Sequence, residues 1–293
     1  MNEFINYFDR HQSLGQPTGK DYIQDGIIYC GNCKTPKQCR IGLLGREFIM
    51  PVVCDCKRAD IAREETRRAA AKTADRIKQL RAGLAGAKYL GMTFDASNAP
   101  IKFAQNYVDR WAEMYRRNLG LMIIGANGQG KTYAAACIAN ALVDKGISVY
   151  MDNIVAMCGK LSSMYDNDRQ SYIERLQDCS LLVIDDIGAE RKTDTAVEQA
   201  YNIVESRYRS AKPLIVTSNL SRAELMQCSD LRYTRIYDRL KEMCHPIEMH
   251  GPSRRVSAAN SRIAEIDALL NADYSPSYDI NAIDQAARKG ELI

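Results

Sequence analysis

Residues 121–132, which read LMIIGANGQGKT, decide the fold of this chain. Four apolar residues at the start are typical of a short buried strand, and they lead into the G-x-x-x-x-G-K-[ST] pattern of a phosphate-binding loop. Residues 133–145 are rich in alanine and are followed by Gly146. This composition predicts a helix whose N-terminus faces phosphate groups. A strand, a loop and a helix in this order predict a nucleotide-binding domain of the α/β class.

The loop supplies the groups that hold a nucleotide. Gly125, Gly128 and Gly130 allow tight turns that point backbone N–H groups at phosphate oxygens. Lys131 places a cation at the β- and γ-phosphates, and the hydroxyl of Thr132 is suited to Mg²⁺. The residues predicted to bind the nucleotide are Gly125, Asn127, Gly128, Gln129, Gly130, Lys131, Thr132 and Tyr133.

Polar residues follow two later strands of the predicted sheet. The apolar run 181–184 leads directly into Asp185 and Asp186. Asp185 is predicted to hold Mg²⁺, directly or through water, and Asp186 to orient or deprotonate the attacking water. The next strand ends in Thr-Ser-Asn, where we predict that Asn219 positions this water, with Ser218 as the second candidate. The alternative is a simple turn residue that ends the strand.

Cysteines are concentrated near the start of the chain, where five of the ten lie within 27 residues. Cys30 with Cys33 and Cys54 with Cys56 form two close pairs, which can supply four thiolates to one tetrahedral Zn²⁺. Cys39 is a fifth thiol that could replace one of the four. The alternative is a set of reduced thiols in a small core. We favour zinc because a module of this size needs additional stabilisation.

Length and composition limit the number of domains and the class of protein. The 293 residues fit one large domain or two unequal ones, and 46% hydrophobic residues suffice for a core. No apolar run approaches the length of a membrane span, and the first residues do not resemble a signal peptide. We therefore expect a cytoplasmic protein with reduced cysteines and no membrane partner.

Charge is unevenly distributed along the chain. The net charge is +4, whereas residues 57–81 alone carry +5, from nine Lys and Arg against four Asp and Glu. The stretch is rich in alanine and charged residues and has no glycine before position 83, which predicts a long polar helix. Its basic charge indicates a polyanion nearby, and the alternative is an ordinary solvated helix face.

The pattern of helices and strands divides the chain into four parts. Further helices are predicted at 105–117, 155–165, 172–177, 198–209, 236–241 and 257–270, and further strands at 27–29, 49–53, 147–151 and 246–249. Shorter helices are predicted near residues 4–8 and 281–289. The predicted parts are a cysteine-rich module at 1–56, a basic helical linker at 57–90, a nucleotide-binding domain at 91–256 and a C-terminal helical tail at 257–293.

The order of these motifs resembles one family. After the phosphate loop come IDDIGAE at 184–190, VTSN at 216–219, RIYDRL at 235–240 and GPSRR at 251–255. Over roughly residues 92–256, the chain resembles the AAA+ ATPases of the bacterial and phage helicase loaders of the DnaC/DnaI type. The transposition ATPases of the IstB type are close cousins. The cysteine region is similar to the N-terminal region of DnaC-like replication proteins in phages and Gram-positive bacteria.

This resemblance implies a fold and a function. The fold is an α/β AAA+ ATPase domain with a parallel sheet and a phosphate loop, preceded by a small zinc-binding module and a helical linker. The implied function is ATP-dependent loading of the replicative hexameric DNA helicase. The N-terminal module would bind the helicase, and the AAA+ domain would self-associate and use its ATP state to bind single-stranded DNA. Asp186 stands where many AAA+ enzymes carry Glu, so we expect slow hydrolysis. We also expect it to depend on assembly, because one chain holds only part of the catalytic set.

The resemblance also assigns roles to polar residues beyond the loop. Asn219 corresponds to the first sensor of the family. Arg239, or Arg235, corresponds to the arginine finger that reaches the γ-phosphate in a neighbouring subunit. Arg255, or Arg254, corresponds to the second sensor, which contacts the nucleotide of its own chain.

DNA contacts are implied for one further segment. Residues 153–177 match the extra DNA-contacting insertion of the family. Its basic residues Lys160, Arg169 and Arg175 are the candidate contacts to the phosphates of single-stranded DNA.

Three other functions compete with a helicase loader. A transposition regulator would bind duplex DNA and a transposase, but those cousins usually begin with a helical region and not with a cysteine module. A binding adaptor in which ATP is only structural would not need the paired carboxylates or the candidate arginine fingers. A small-molecule kinase would need an acceptor site, for which the sequence shows no signature.

Overall fold

The computed structural model describes residues 15–97, 99–189, 193–221, 223–224 and 231–271, together with Tyr7 and Arg10. For residues 231, 232, 254–261 and 271 it describes the backbone alone. The chain divides into two compact units, Met1–Lys78 and Gln79–Ile293. The short helices predicted near residues 4–8 and 281–289 lie outside the described residues, apart from Tyr7.

The first unit contains two antiparallel hairpins. Their strands are β1 (Tyr22–Gln24), β2 (Ile27–Tyr29), β3 (Gln38–Leu43) and β4 (Arg46–Pro51). Asp25 and Gly26 form the first turn with φ values of 51° and 72°, the left-handed geometry of a two-residue hairpin turn. The sequence predicted β2 and β4 but missed β1 and β3.

A single helix, α1 (Asp55–Arg81), follows the second hairpin and connects the two units. It is 27 residues long and none of its residues is buried. This confirms the predicted long solvated helix, which begins two residues earlier than expected. The basic charge of this stretch is therefore carried on exposed surface.

The second unit is built on a parallel five-stranded sheet with the order β6–β7–β8–β5–β9. Its strands are β5 (Gly120–Ile124), β6 (Val149–Asn153), β7 (Leu181–Asp185), β8 (Leu214–Ser218) and β9 (Cys244–Glu248). Every residue of β5, β7 and β8 is buried, which agrees with their apolar sequences. The predicted α/β class with a parallel sheet is confirmed.

Helices connect these strands and cover the sheet. They are α2 (Ala87–Leu90), α3 (Lys102–Asp109), α4 (Trp111–Arg116), α5 (Lys131–Asp144), α6 (Ile154–Ser163), α7 (Asp166–Asp178), α8 (Asp194–Arg209), α9 (Leu231–Met243) and α10 (Arg254–Asn271). The helix predicted at 105–117 is divided at Arg110 into α3 and α4. None of the described helices is both long and apolar enough to cross a membrane.

The topology brings the phosphate loop, the two carboxylates after β7 and Asn219 to one edge of the sheet. Parallel strands end at the same edge, so the loops after β5, β7 and β8 meet there. The loop after β5 leads into α5, which begins at Lys131 directly after Gly130 in a left-handed conformation. The N-terminus of a helix is a favourable position for an anion, because backbone N–H groups point out of it.

Candidate nucleotide site and cysteine cluster

The phosphate loop packs against the segment that precedes α10. Gly128 has φ +83°, and a Cβ atom built there would lie 1.9 Å from Oγ of Ser253. A Cβ atom on Gly125 would lie 2.6 Å from the carbonyl oxygen of Met249. The side-chain amide of Gln129 donates to the carbonyl of Gly251 at 3.1 Å. Glycine is therefore required by close packing as well as by backbone conformation.

Lys131 connects the loop with the end of β8. Its buried ammonium donates to the carbonyls of Gly125 and Ala126 at 2.8 and 2.9 Å. It also donates to Oδ1 of Asn219 at 2.7 Å, and Nδ2 of Asn219 donates to Oδ1 of Asp186 at 3.3 Å. The structure thus brings the loop cation, the predicted sensor and the second carboxylate into one hydrogen-bonded chain.

Asp185 accepts hydrogen bonds from hydroxyl groups on three parts of the fold. Thr132 and Thr217 donate to Oδ1 at 2.8 and 2.6 Å, and the hydroxyl of Tyr89 donates to Oδ2 at 3.2 Å. Because the Thr132 hydroxyl is the donor in its hydrogen bond to Asp185, the lone pairs of its oxygen can bind a cation. A hydroxyl and a carboxylate side by side form the oxygen donor set that Mg²⁺ prefers, so the residues present fit this ion.

Asp186 has an unusual backbone conformation for a residue that is not glycine. Its φ is 55°, and its amide donates to Oγ1 of Thr217 at 2.9 Å. Such conformations cluster at functional sites, and Asp tolerates them better than most residues. Ser218, the second candidate for positioning water, is fully buried and donates its hydroxyl to the carbonyl of Ile187. It is bonded to the backbone, whereas Asn219 contacts Lys131.

The candidate arginine finger is bonded within its own chain. Nε of Arg239 donates to Glu205 at 3.0 Å, and the guanidinium lies 4.2 Å from the ring centroid of Tyr208. Hydrogen bonding to Glu205 raises the pKa of Arg239. Arg235, one turn earlier on α9, is exposed. Within the described part of the chain, neither arginine is brought into contact with the phosphate loop.

The candidates for the second sensor, Arg254 and Arg255, are the first two residues of α10. Their backbone directly follows Ser253, which packs against Gly128 of the phosphate loop. Their side chains lie outside the described residues.

Two of the three candidate DNA-contacting residues share one aromatic ring. The ammonium of Lys160 donates to Asp152 at 2.7 Å and to the hydroxyl of Tyr150 at 3.2 Å. The guanidinium of Arg175 lies 5.3 Å from the centroid of the same tyrosine ring. Arg169 contacts a different group, since it donates to two backbone carbonyls near the end of α6.

The four predicted zinc ligands lie close together in the first unit. The sulfur atoms of Cys30, Cys33, Cys54 and Cys56 all lie within 4.8 Å of one another. Tetrahedral zinc with Zn–S bonds of about 2.3 Å requires sulfur atoms roughly 3.8 Å apart, so this cluster could bind zinc. Cys39 lies on β3 opposite Met50 and is not part of the group.

Thiol pKa values within the cluster are shifted in opposite directions. Hydrogen bonds, above all from the Thr35 hydroxyl, lower the pKa of Cys33 to about 5. The backbone amide of Cys33 contributes most to lowering the pKa of Cys30. Hydrogen bonding with the thiol of Cys54 contributes most to raising the pKa of Cys56 to about 12. Crowded sulfur atoms disfavour several negative charges at once, which a bound cation would relieve.

Two residues of the candidate nucleotide site were not predicted from the sequence. Thr217 could have been found, because residues i and i+2 of a strand face the same side and Asn219 was already placed at the site. Tyr89 offers no such signal. It lies 96 residues before Asp185 and belongs to the short helix α2, outside the strand ends on which the prediction was based.

Comparison with known protein families matches residues 61–261 to the family described as IstB-like ATP binding protein. This match covers more than half of the chain. The chain belongs to the IstB-like ATP-binding family. The matched part of this IstB-like chain contains the phosphate loop, both polar strand ends and the start of α10. Together with the parallel sheet, this confirms the predicted α/β nucleotide-binding domain with a phosphate loop.

Several curated relatives of this IstB-like chain are named as replicative helicase loaders. It is 26% identical over 147 residues to the replicative helicase loader DnaI of Bacillus subtilis, covering 46% of this chain and 47% of DnaI. It is 28% identical over 136 residues to the replicative helicase loader DnaC of Escherichia coli, covering 45% of this chain and 54% of DnaC. The chain thus spans about half the length of these curated relatives.

The IstB-like chain is also similar to a solved structure, described as the crystal structure of the DnaC helicase loader. The two are 22% identical with a TM-score of 0.48, and the match covers 56% of this chain and 100% of that one.

Proposed function

We propose that this protein is an ATP-dependent loader of the replicative DNA helicase. ATP binding and hydrolysis switch its binding of single-stranded DNA and of the helicase. The hydrogen-bonded chain from Lys131 through Asn219 to Asp186 carries the proposal, because it links the phosphate loop to the residues that respond to a γ-phosphate. Membership of an ATP-binding family and two relatives named as helicase loaders support it.

In the proposed mechanism, each residue has a defined task at the phosphates. Lys131 leaves its contacts with the loop carbonyls and neutralises phosphate charge. Asp186 orients the attacking water or accepts its proton, and Asn219 positions that water from the adjacent strand end. Thr132 and Asp185 would hold Mg²⁺, which when bound would supply positive charge next to the phosphate oxygens. The carboxylate of Asp186 is one methylene shorter than that of Glu, so hydrolysis is slow.

Self-association completes the site in this proposal. Arg239, or Arg235, enters the nucleotide site of a neighbouring subunit, and Arg255, or Arg254, contacts the nucleotide of its own chain. To reach that site, Arg239 must give up its hydrogen bond to Glu205 and contact the γ-phosphate instead. ATP hydrolysis therefore depends on assembly.

The remaining parts of the chain are assigned to zinc, the helicase and DNA. Residues 1–56 form a module in which Cys30, Cys33, Cys54 and Cys56 hold one Zn²⁺, and this module binds the helicase. Residues 57–90 are the linker, 91–256 the ATPase domain and 257–293 the tail. Lys160, Arg169 and Arg175 contact single-stranded DNA. A cytoplasmic location stays a prediction.

A second candidate function is favoured by the description of the matched family. An IstB-type transposition ATPase would act on duplex DNA together with a transposase. The two candidates differ in the partner protein and in the form of DNA that is bound. Binding to a hexameric helicase and to single strands supports the first, and binding to a transposase and to duplex supports the second.

Complex formation with the helicase tests the proposed function. The full-length protein is mixed with the purified hexameric replicative helicase of the same host, and the mass of the complex is measured with ATP, with ADP and without nucleotide. We expect the stability of the complex to depend on the nucleotide. Lys145→Ala, at the far end of α5, is the matched control and should show the same dependence. Lys131→Ala should remove the dependence on nucleotide. The proposal would be contradicted if no complex formed with ATP, with ADP or without nucleotide.

A further inference from the structure

Tyr89 is a residue of the nucleotide site that lies before the ATPase core in the sequence. Its hydroxyl donates to Oδ2 of Asp185 at 3.2 Å, although the two residues are 96 positions apart. An ionised carboxylate can only accept hydrogen bonds, so the Tyr89 hydroxyl is the donor in this contact.

The two oxygens of Asp185 have different surroundings. Oδ1 accepts from both Thr132 and Thr217, which matches its two lone pairs. Oδ2 accepts from Tyr89. Oδ2 therefore keeps a lone pair for a cation, or for a water molecule bound to that cation. The hydrogen bond from Tyr89 holds this oxygen in place. Asp185 is only 4% exposed, so bulk water does not readily replace this donor.

The backbone around Tyr89 is anchored on both sides. Downstream, the buried side-chain amide of Asn140 donates to the carbonyls of Tyr89 and Met92 at 2.8 and 3.0 Å. Upstream, Met151 of the edge strand β6 exchanges two backbone hydrogen bonds with residues 83–85, at 2.8 and 2.9 Å. The position of the hydroxyl is therefore determined by the fold and does not depend on a free loop.

We propose that Tyr89 is a positioning residue for Mg²⁺ and that, through Asp185, it sets the affinity of the site for this ion. The inference rests on the proposed function, since it deepens the assignment of Asp185 to Mg²⁺ and ATP. Residues 83–92 follow α1 directly in the chain. The segment between the linker helix and the sheet is thereby part of the metal site, and a displacement of this segment changes Mg²⁺ affinity.

Removal of the hydroxyl alone tests this role. Tyr89→Phe keeps the ring and its packing, so the protein is expected to fold. Binding of a non-hydrolysable ATP analogue is measured by calorimetry across a range of Mg²⁺ concentrations and in EDTA. Loss of a hydrogen bond to a ligating carboxylate should raise the Mg²⁺ concentration at half-saturation about 10-fold, while affinity in EDTA stays within about twofold of wild type.

Tyr107→Phe provides the matched control. The buried hydroxyl of Tyr107 donates to the carbonyl of Leu119 at 2.7 Å, and it has no bond to Asp185. This variant loses a comparable hydrogen bond, and its Mg²⁺ half-saturation should equal that of wild type.

Three other outcomes would overturn the inference, and one of them would also overturn the proposed function. Unchanged Mg²⁺ half-saturation in Tyr89→Phe overturns the inference and leaves the proposed function standing. An equal loss of affinity with and without Mg²⁺ also overturns it, because that result indicates a packing role. A wild-type protein that binds no nucleotide overturns both the proposed function and the inference.

Discussion

Nε of Arg239 on helix α9 donates a hydrogen bond to a carboxylate oxygen of Glu205 on helix α8 at 3.0 Å. The same guanidinium stacks on Tyr208, and its Nη1 lies 3.9 Å from Oε2 of Glu242. These contacts hold the candidate finger on its own chain. We interpret them as a resting arrangement that is exchanged for phosphate contact when subunits assemble.

A mixing experiment tests the finger. Lys131→Ala destroys the nucleotide site but keeps the finger, and Arg239→Ala keeps the site but loses the finger. Each variant alone should be nearly inactive with DNA present, because a finger supplied in trans is worth about 10³ to 10⁵ in rate. Mixed together, they should regain part of the wild-type ATPase rate, since some interfaces pair an intact site with an intact finger.

Lys241→Ala is the matched control, because it removes another cation of α9 that pairs with Asp238 on the surface. It should retain the wild-type rate. If the mixed variants assemble but recover no activity, a finger in trans is excluded. If Arg239→Ala alone remains active, its bond to Glu205 is an ordinary surface pair of little consequence, and Arg235 becomes the candidate.

Zinc content tests the cysteine cluster. Elemental analysis of the purified protein should give about one zinc per chain, with four thiolates as ligands. Cys54→Ser should lose the metal, whereas Cys39→Ser should retain it because Cys39 lies outside the group of four sulfur atoms. A chain without zinc would refute the assignment, and loss of zinc in Cys39→Ser alone would show that the ligand set is wrong.

Salt dependence tests the candidate DNA-contacting residues. Binding of single-stranded DNA through phosphates should weaken steeply as salt rises, with a slope near −0.7 per phosphate contact. Arg175→Glu should weaken binding and reduce the steepness of the slope by about 0.7, the value for one phosphate contact. Arg175 suits this test better than Lys160, because replacing Lys160 would leave buried Asp152 without its ion pair.

Arg116→Glu reverses the charge of an exposed arginine on α4 and serves as the control for this experiment. Its affinity for single strands should equal that of wild type. Affinity that is flat across salt, or equal in Arg175→Glu and Arg116→Glu, would count against a DNA contact at this surface.

Arg207 is predicted to stabilise the second unit. Its side chain on α8 is 0% exposed and donates to five backbone carbonyls, those of Leu176, Gln177, Cys179, Ser180 and Pro213. Arg207→Met should lower the free energy of unfolding by about 3 kcal/mol or more, because buried carbonyls lose their donors. Urea unfolding measures the change.

Arg209→Met, at an exposed position of the same helix, should change the free energy of unfolding by about 0.5 kcal/mol or less. Equal stability of the two variants would contradict the structural role of Arg207.

Local sequence patterns predicted the parts of the fold that depend on neighbouring residues. The phosphate loop, the strand leading into Asp185 and the two cysteine pairs each lie within a few residues, so their spacing carries the information. The strands β5, β7 and β8 were predictable because they are apolar at nearly every position.

Contacts between distant residues could not be predicted from such patterns. Tyr89 is a single polar aromatic residue in a short helix, and only the folded chain brings it to Asp185. Arg207 is charged, so its sequence position suggests an exposed helix face, yet carbonyls from two other segments surround it. Strand β1 was missed because it is only three residues long, and β3 because Arg40 and Gly42 interrupt its apolar residues.

Loading of the helicase onto a closed DNA circle tests the central claim most directly. The substrate is circular single-stranded DNA with an annealed oligonucleotide, so a ring-shaped hexamer cannot enter from an end. With ATP, the wild-type protein and Lys145→Ala should each enable the helicase to release the oligonucleotide, whereas Lys131→Ala should not. Release that is equally fast without the protein, or equally fast with Lys131→Ala, would contradict an ATP-dependent loader.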